Sequence, residues 1–181
     1  MGAEDRAAKI RLLIFDVDGV LTNGQILFGP EGEAIKVFHT QDGLGITAAH
    51  RAGLKTAVIT GRESEMVRRR SAELAISDIC QGARDKVKLL DELAAKHGLG
   101  YPEIGYVGDD LNDLGALTKV GLACAVANAV PEVKAAAHFV AGRTGGAGAV
   151  REIIEFILKT QGKWDGIVAA YRCPGNESTT Q

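Results

Sequence analysis

Residues 12–22 read LLIFDVDGVLT, an apolar run that ends on two carboxylates. Asp16 and Asp18 are separated by one residue, and Gly19 follows directly. Carboxylates beside apolar packing cost free energy unless a positive charge or hydrogen bonds compensate them. The stretch therefore predicts a buried strand that delivers two acidic side chains to a site containing a compensating group.

Along the rest of the chain, short apolar runs alternate with longer amphipathic stretches, which is typical of β-α units around a mostly parallel sheet. The predicted strands are residues 10–15, 55–59, 104–107, 122–126 and 138–140. The predicted helices are residues 44–52, 63–74, 86–97, 113–120, 130–136 and 147–159. A chain of 181 residues is long enough for one sizeable core and short for two. We expect one α/β domain over residues 1–181, with a Rossmann-like, three-layer parallel sheet.

Three segments interrupt this alternation. Residues 24–40, GQILFGPEGEAIKVFHT, predict a β-hairpin insertion with a four-residue turn, either a surface flap or a lid or oligomer contact. GGAGAV at residues 145–150 lacks the third glycine of a dinucleotide loop, so it predicts a tight turn into a helix. The C-terminal tail, residues 161–181, loses helical periodicity beyond Lys163, and terminal disorder is the expectation there.

Charge and cysteine content argue against several classes of partner. Lys and Arg number 21 against 23 Asp and Glu, a net charge of −2, so nothing favours nucleic acid or an anionic membrane. The 3 cysteines are far apart and lack metal-ligand spacing, which suits a reducing compartment. The N-terminus shows no apolar signal segment, and no stretch approaches the roughly 18 apolar residues of a membrane span. We expect a cytoplasmic protein that acts on a small molecule.

Polar residues follow three of the predicted strands directly. In parallel α/β sheets ligands bind outside the carboxyl ends of the strands, so these residues should meet in one crevice. In chain order they are Asp16, Asp18, Thr60, Gly61, Arg62, Gly108, Asp109, Asp110, Asn112 and Asp113. Several carboxylates in one crevice repel one another and raise each other's pKa unless a cation lies among them. A hard, oxygen-liganded ion resolves the conflict, and Mg²⁺ is the best candidate.

The same residues provide the parts of a phosphoryl-transfer site. Asp16 is the candidate nucleophile, because a carboxylate can accept a phosphoryl group covalently. Residues i and i+2 of an extended strand end face the same side, so Asp18 would lie beside the leaving oxygen as general acid, and then as base for water. The candidate donors to the phosphoryl oxygens are the Thr60 hydroxyl, the Lys86 ammonium and backbone N–H groups near Gly19 and Gly61.

The remaining candidates have weaker signals. Lys86 is the first residue of a predicted helix, and Asp85 is its predicted N-cap. A cation at this end opposes the helix macrodipole, so a compensating anion is expected beside it. Bound phosphate would be that anion. Asp110, Asn112 and Asp113 either orient metal-bound water or cap the helix that follows. Among three consecutive arginines, otherwise expected to face solvent, Arg70 is the candidate for reaching an interface or the substrate.

DVDGVLT, ITGR, Lys86 and GDDLND, in this order, resemble the four motifs of the haloacid dehalogenase superfamily of aspartate-nucleophile phosphatases. The resemblance spans most of the chain and implies that fold in its capless form, since only a hairpin and one helix separate the first two motifs. It implies that Asp16 is nucleophile and metal ligand. It also implies that Asp18 is the acid/base and a ligand through its backbone carbonyl, and that Asp109 is the third protein ligand of Mg²⁺.

FHTQDGLGI, TGRESEMVRRR and GGAGAVREIIEFILKTQGK further resemble the family of 3-deoxy-D-manno-octulosonate 8-phosphate phosphatases of lipopolysaccharide biosynthesis. This implies a homotetramer assembled through the hairpins, with the tail of one subunit reaching a neighbour's active site. A sister enzyme, acting on a nine-carbon sugar acid 9-phosphate, has an acidic residue where this chain has Arg62, which favours the anionic eight-carbon substrate. Gln41 departs from the RDG that the eight-carbon enzymes commonly have at 41–43, so the nine-carbon substrate is the alternative.

Two alternatives come from other classes of protein. A signalling receiver module also gathers acidic residues, a phosphoaccepting aspartate, a hydroxyl and a lysine on a parallel sheet, but it has no use for an acid/base at the position of Asp18. A regulatory homologue that only binds sugar acids would be expected to have degraded motifs, and none of the four is degraded. The sequence therefore favours a Mg²⁺-dependent phosphomonoesterase.

Overall fold

The structure, a computed structural model, describes residues 2–172. Its main sheet consists of the strands β1 (Leu12–Phe15), β4 (Lys55–Ile59), β5 (Asp78–Cys80), β6 (Ile104–Gly108), β7 (Leu122–Ala125) and β8 (Phe139–Val140). Their order is β5-β4-β1-β6-β7-β8, and every neighbouring pair is parallel. The predicted parallel α/β sheet is confirmed.

Helices cover both faces of this sheet. They are α1 (Ala3–Ala7), α2 (Thr40–Arg51), α3 (Glu65–Glu73), α4 (Lys86–His97), α5 (Leu114–Leu117), α6 (Pro131–Ala136), α7 (Ala149–Thr160) and α8 (Trp164–Arg172). The chain moves in one direction from β1 to β4 and in the other from β6 to β7, so right-handed crossovers place α2 and α5 on opposite faces. Accordingly, α2 packs against α7, whereas α5 packs against α4 and α6. The result is the three-layer arrangement that the sequence predicts.

The order of strands reverses at β1. It pairs with β4 on one side and with β6 on the other, with Leu12 opposite both Lys55 and Ile104. All four residues of β1 are buried, as expected for a central strand of a parallel sheet covered on both faces. Where strand order reverses, the connections leave in opposite directions and a crevice opens at the carboxyl ends. The polar residues that follow β1, β4 and β6 therefore share one crevice.

The predicted hairpin is present outside the main sheet. Its strands, β2 (Leu27–Gly29) and β3 (Gly32–Ile35), pair antiparallel. The predicted four-residue turn, residues 29–32, is present, since Gly29 pairs with Gly32 and only Pro30 and Glu31 separate the strands. A set of large apolar side chains on this hairpin is exposed to solvent: Ile26, Leu27, Phe28, Ile35 and Val37.

The predicted elements differ from the structure at several places, and α1 is not among the predicted helices. β5 is missing from the predicted strands, because three residues are too few to show a strand period. α2 begins at Thr40, four residues before its predicted start. The first turn is missing from the prediction because Gly43 and Gly45 obscure the apolar period of the helix. In the structure, side chains of α3 and α7 cover these glycines closely. Helical structure continues beyond Lys163 as α8, whose first residue, Trp164, packs against the core. Residues 173–181, the rest of the predicted tail, lie outside the described residues.

Within residues 2–172, no helix combines the length and the apolar character needed to cross a lipid bilayer.

Candidate active site

The loop after β1 carries the first two carboxylates. β1 ends at Phe15, and the chain then forms an irregular helical turn, Val17–Leu21, that is interrupted at Gly19 with a φ of +93°. The turn, rather than the alternation of a continued strand, therefore sets the directions of Asp16 and Asp18. A Cβ at position 19 would lie 1.9 Å from Oδ2 of Asp109, so the close approach of the two loops requires glycine.

A cleft of about 250 Å³, open to solvent, lies at the carboxyl ends of β1, β4 and β6. The residues that line it are Asp16, Asp18, Gly24, Thr60, Gly61, Arg62, Asp109, Asp110 and Asn112. Apart from Gly24, the sequence singles out each of them. The structure thus brings together residues from three strand ends that are far apart along the chain.

Lys86 lies beneath the floor of this cleft at the first residue of α4. Asp85 caps the helix as predicted, since its carboxylate accepts two backbone N–H groups of the first turn. The Lys86 ammonium donates to Oδ1 of Asp113 at 2.7 Å and lies 3.1 Å from Oδ2 of Asp16. Burial lowers the pKa of Lys86, but these two carboxylates raise it more, so the net pKa is above its usual value. Asp16 and Asp113 therefore provide the negative charge that the buried ammonium of Lys86 requires, a role that the sequence prediction assigned to bound phosphate.

Asp113 holds the β6 loop together from a fully buried position. Its Oδ1 accepts hydrogen bonds from Lys86 and from the hydroxyl of Tyr106, at 2.7 and 2.8 Å. Its Oδ2 accepts the backbone N–H of Asp109 at 3.0 Å. Both oxygens are therefore engaged by donors, and Asp113 orients its neighbours. Tyr106 was missed in the sequence, because an aromatic residue inside a strand is typical of a core.

Asp16, Asp109 and Asp113 each place one carboxylate oxygen within 4.8 Å of the other two. Burial raises the pKa of Asp16 to about 6 and that of Asp109 to about 7, and the neighbouring carboxylates act in the same direction, against Lys86. Oδ1 of Asp16 and Oδ1 of Asp109 are buried, and within residues 2–172 neither accepts a hydrogen bond. Two buried, unpartnered carboxylate oxygens fit a hard divalent cation, which would offset their repulsion.

Asp18 stands apart from this carboxylate cluster. Its Oδ1 accepts a hydrogen bond from the ammonium of Lys36, the residue that follows β3. Its Oδ2 lies 3.9 Å from Nε of Arg62, and 19% of the Asp18 side chain is exposed. Lys36 was missed in the sequence because it is 18 residues away, on a hairpin with no local signal for an active-site contact.

The loop at residues 145–148 packs against the β1 loop. The backbone N–H of Gly146 donates to the carbonyl of Val20 at 3.0 Å. A Cβ at position 145 would lie 1.6 Å from the carbonyl oxygen of Gly19. The predicted tight turn before α7 is present, and its glycines allow backbone to pack on the loop that carries Asp16 and Asp18.

Two of the residues that the sequence singles out lie away from the cleft. Arg70 covers Gly43 on α2 and forms an ion pair with Glu73 at 2.9 Å, and it is not among the residues that line the cleft. Its predicted contact with an interface stays a prediction. The side-chain oxygen of Gln41 accepts a hydrogen bond from Arg143 at 2.8 Å, a contact that the sequence does not indicate.

A carboxylate cluster and a buried lysine at the switch point of a parallel sheet, with a second aspartate two residues after Asp16 in the same cleft, are the features of the haloacid dehalogenase-like hydrolases. A family model of that description matches residues 71–154. The 3-deoxy-D-manno-octulosonate 8-phosphate phosphatase of Escherichia coli K12 is 43% identical over 160 residues, or 88% of this chain and 85% of that protein. That of Yersinia pestis is 42% identical, over 89% of this chain and 86% of the relative. The chain belongs to the family of 3-deoxy-D-manno-octulosonate 8-phosphate phosphatases.

Solved structures support the same family assignment. The Moraxella catarrhalis phosphatase, crystallised with magnesium, phosphate and the KDO molecule, superposes with a TM-score of 0.91 at 43% identity, covering 93% of this chain and 97% of that one. The cobalt-bound Haemophilus influenzae phosphatase has a TM-score of 0.86 at 42% identity, covering 87% and 92%. The chain is therefore a hydrolase, and the signalling receiver is set aside.

Proposed function

We propose that this enzyme hydrolyses 3-deoxy-D-manno-octulosonate 8-phosphate to 3-deoxy-D-manno-octulosonate and phosphate, a step of lipopolysaccharide biosynthesis. The observation that carries the proposal is the buried Asp16–Lys86–Asp113 cluster beneath an open cleft that Asp16 and Asp18 line, in a chain 43% identical to enzymes of that name. The Escherichia coli and Yersinia pestis relatives are both named for the eight-carbon substrate, which supports it over the nine-carbon alternative.

In the first step, a carboxylate oxygen of Asp16 attacks phosphorus. An Asp16–phosphorus bond forms and the bond from phosphorus to the sugar oxygen breaks, while the Asp18 carboxyl group gives its proton to that oxygen. Lys86, 3.1 Å from Asp16, holds the nucleophile in place from below. Thr60 and backbone N–H groups beside Gly61 donate to the transferring phosphoryl oxygens, whose charge they stabilise.

In the second step, the Asp18 carboxylate takes a proton from water. The water oxygen attacks phosphorus, the bond to Asp16 breaks, and phosphate leaves with both carboxyl groups restored to their starting states. A proton donor or acceptor in this position contributes about 10²- to 10⁴-fold to the rate.

The proposed cofactor is Mg²⁺. The unpartnered oxygens of Asp16 and Asp109, with the backbone carbonyl of Asp18, are the groups that would hold it. When bound, the ion neutralises charge on the phosphoryl oxygens and on the clustered carboxylates. Asp110 and Asn112, which also line the cleft, are the proposed partners of metal-bound water.

Arg62 is the proposed contact for the anionic sugar acid. It lies on the rim of the cleft with 42% of its side chain exposed, so its guanidinium is accessible to a carboxylate. Gly19, Gly61 and Lys86 complete the proposed phosphate-binding set, and Arg70 is proposed to act only across a subunit interface.

We further propose a homotetramer that assembles through the hairpins. Phe28, Ile35 and Val37 are 71%, 53% and 59% exposed, and a hairpin with such side chains favours a partner surface. The proposal includes a tail that reaches a neighbouring active site. The odd number of cysteines suits a reducing compartment, so we place the enzyme in the cytoplasm.

The experiment that tests the function is steady-state phosphate release from the eight-carbon and nine-carbon sugar acid phosphates, with Mg²⁺ and with a chelator. We expect a clear preference for the eight-carbon substrate, loss of turnover with chelator, and no turnover in a folded Asp16→Asn variant. Equal or reversed preference would contradict the proposed substrate, whereas full activity of Asp16→Asn would contradict the covalent route.

A further inference from the structure

The hairpin contacts the candidate active site of the same chain through one lysine, Lys36. The side chain of Lys36 is only 1% exposed, and its ammonium donates to Oδ1 of Asp18. Its neighbours Ile35 and Val37 are 53% and 59% exposed. Alternation along an extended segment explains the difference, since successive side chains face opposite sides. One short segment thus presents apolar side chains outward and a buried cation inward.

Charges of both signs surround that cation. Lys36 forms an ion pair with Glu33 at 2.9 Å, and Nε of Arg62 lies 3.7 Å from the same carboxylate. With Asp18 the group contains two carboxylates and two cations, so its net charge is zero. Burying a charge is tolerated when it is paired, whereas removing one partner of a buried pair leaves the other uncompensated. Lys36 is therefore held in place by Glu33 as well as by Asp18.

The backbone beside Lys36 is tied to α3. Its N–H donates to the sulfur of Met66 at 3.1 Å, which links the base of the hairpin to the helix following Thr60 and Arg62. The ammonium group consequently has little freedom to move with the tip of the hairpin. It contacts Asp18 from the hairpin, whereas Lys86 and Asp113 belong to α4 and to the loop after β6.

We propose that Lys36 is a positioning residue for the acid/base carboxyl of Asp18. The last torsion of an aspartate is broad, so an unrestrained carboxyl group rotates and presents either oxygen at many angles. A donor on Oδ1 removes this freedom and leaves Oδ2, on the side of Arg62 and the cleft, to exchange the proton with the leaving oxygen and with water. Because its side chain is buried, Lys36 acts through Asp18 rather than on the substrate. Glu33 in turn holds Lys36.

The inference rests on the proposed phosphatase mechanism, and its first test uses 3-deoxy-D-manno-octulosonate 8-phosphate. We expect Lys36→Met to lower kcat about tenfold or more. This is part of the rate contribution of a general acid/base, because Asp18 is still present but no longer held in orientation. KM should stay within about threefold, because the substrate contacts are intact. Lys36→Arg, which keeps a charged donor, should have a kcat between those of Lys36→Met and the wild type.

A second test separates positioning of Asp18 from general damage. With p-nitrophenyl phosphate the leaving group departs without a proton, so the first step should be nearly unchanged in Lys36→Met. The second step still needs Asp18 as base, so the phosphorylated Asp16 should accumulate. We therefore expect a burst of one p-nitrophenolate per subunit, followed by slow turnover, in Lys36→Met and not in the wild type.

Two further variants make the outcome decisive. The double variant Glu33→Gln/Lys36→Met removes one carboxylate together with the lysine, so the group of Asp18 and Arg62 that remains again has a net charge of zero. It is used for the same tests if Lys36→Met folds poorly. Lys88→Met, at an exposed lysine of α4, is the matched control and should behave as wild type. Folding of each is checked by its melting temperature.

The inference is overturned if the double variant and Lys36→Met keep kcat within about threefold, or if kcat falls without the burst. A rise in KM alone would also contradict it, since it would mean that Lys36 serves substrate binding. If the wild type fails to hydrolyse the sugar phosphate while the aryl phosphate burst still distinguishes the variants, the proposed substrate fails and the role of Lys36 stands.

Discussion

At the scale of single residues, the candidate site depends on glycines as much as on acids. Gly19 allows the β1 loop to approach Asp109, and Gly145 allows another loop to pack on Gly19. The acidic residues are visible in the sequence, because their types and spacing indicate their chemistry. The steric role of each glycine is not, since it depends on which atoms the fold places beside its Cα.

We predict that Gly19→Ala severely impairs catalysis. Both the positive φ and the collision of the new Cβ with Asp109 force the β1 loop to move, and a displacement of about 1 Å at a catalytic group costs about 10²-fold in rate. Gly53→Ala is the matched control, because Gly53 has a φ of +80° but a Cβ there would meet no atom within 4 Å. It should lose about 1–2 kcal/mol of stability and retain its kcat. Equal kinetic effects of the two changes would contradict the steric argument.

At the scale of elements, an ion pair between a buried carboxylate and an exposed lysine connects β5 to α4 at the end of the sheet opposite the cleft. Asp78 begins β5, and its carboxylate accepts hydrogen bonds from Lys96 and from His97 at the end of α4. The sequence does not link these two elements, since β5 has no strand pattern of its own. The contact shows how a short edge strand, whose sequence has no clear strand periodicity, is held in place by a neighbouring helix.

We predict that this contact stabilises the protein at neutral pH and not in acid. Burial raises the pKa of Asp78, but hydrogen bonds from Lys96 and His97 lower it more, so its net pKa is below the ordinary 3.8. A carboxyl group with a depressed pKa contributes stability above its unfolded pKa and loses it as the pH falls through the folded value. Asp78→Asn should therefore cost about 1 kcal/mol at pH 7, and the difference should shrink below about pH 4.

Urea unfolding of wild type and variant at several pH values measures this difference. Glu65→Gln, which removes an exposed ion pair with Arg68, is the control and should change stability by less than about 0.5 kcal/mol at any pH. A loss in Asp78→Asn that is independent of pH would contradict the electrostatic explanation.

At the scale of the whole molecule, the site joins parts of the chain that only the assembled sheet brings together. Asp16 and Asp109 belong to different β-α units, yet they lie in one carboxylate cluster, and each has a buried oxygen that accepts no hydrogen bond within residues 2–172. A cation shared between the units should therefore stabilise the folded protein as a whole.

We predict that Mg²⁺ raises the melting temperature of the wild type and that a chelator reverses the effect. A ligand at one hundred times its dissociation constant adds about 2.7 kcal/mol to the free energy of unfolding. Asp109→Asn should abolish most of this gain, whereas Asp91→Asn, at an exposed carboxylate of α4, should leave it intact. Equal stabilisation of Asp109→Asn and wild type would exclude Asp109 as a ligand.

We also predict that the hairpin controls assembly. Ile35→Asp places a charge on an exposed apolar surface and should shift the protein toward smaller species in size-exclusion chromatography with light scattering. Val140→Asp changes another exposed branched residue, on β8, and should leave the mass unchanged. A wild type that is monomeric at all concentrations would contradict the proposed tetramer.

The sequence by itself determined the parallel α/β fold, the hairpin, the N-cap of α4 and the set of polar residues at the strand ends. Each depends on local chemistry: apolar runs of strand length, turn residues, and acids that directly follow a strand. Only the tertiary structure decided that Lys36 contacts Asp18, that Tyr106 donates to Asp113 and that Gly145 packs on Gly19. It also showed β5 and α8. These features depend on the approach of segments that are distant in sequence, and the free energy of such contacts has no local pattern.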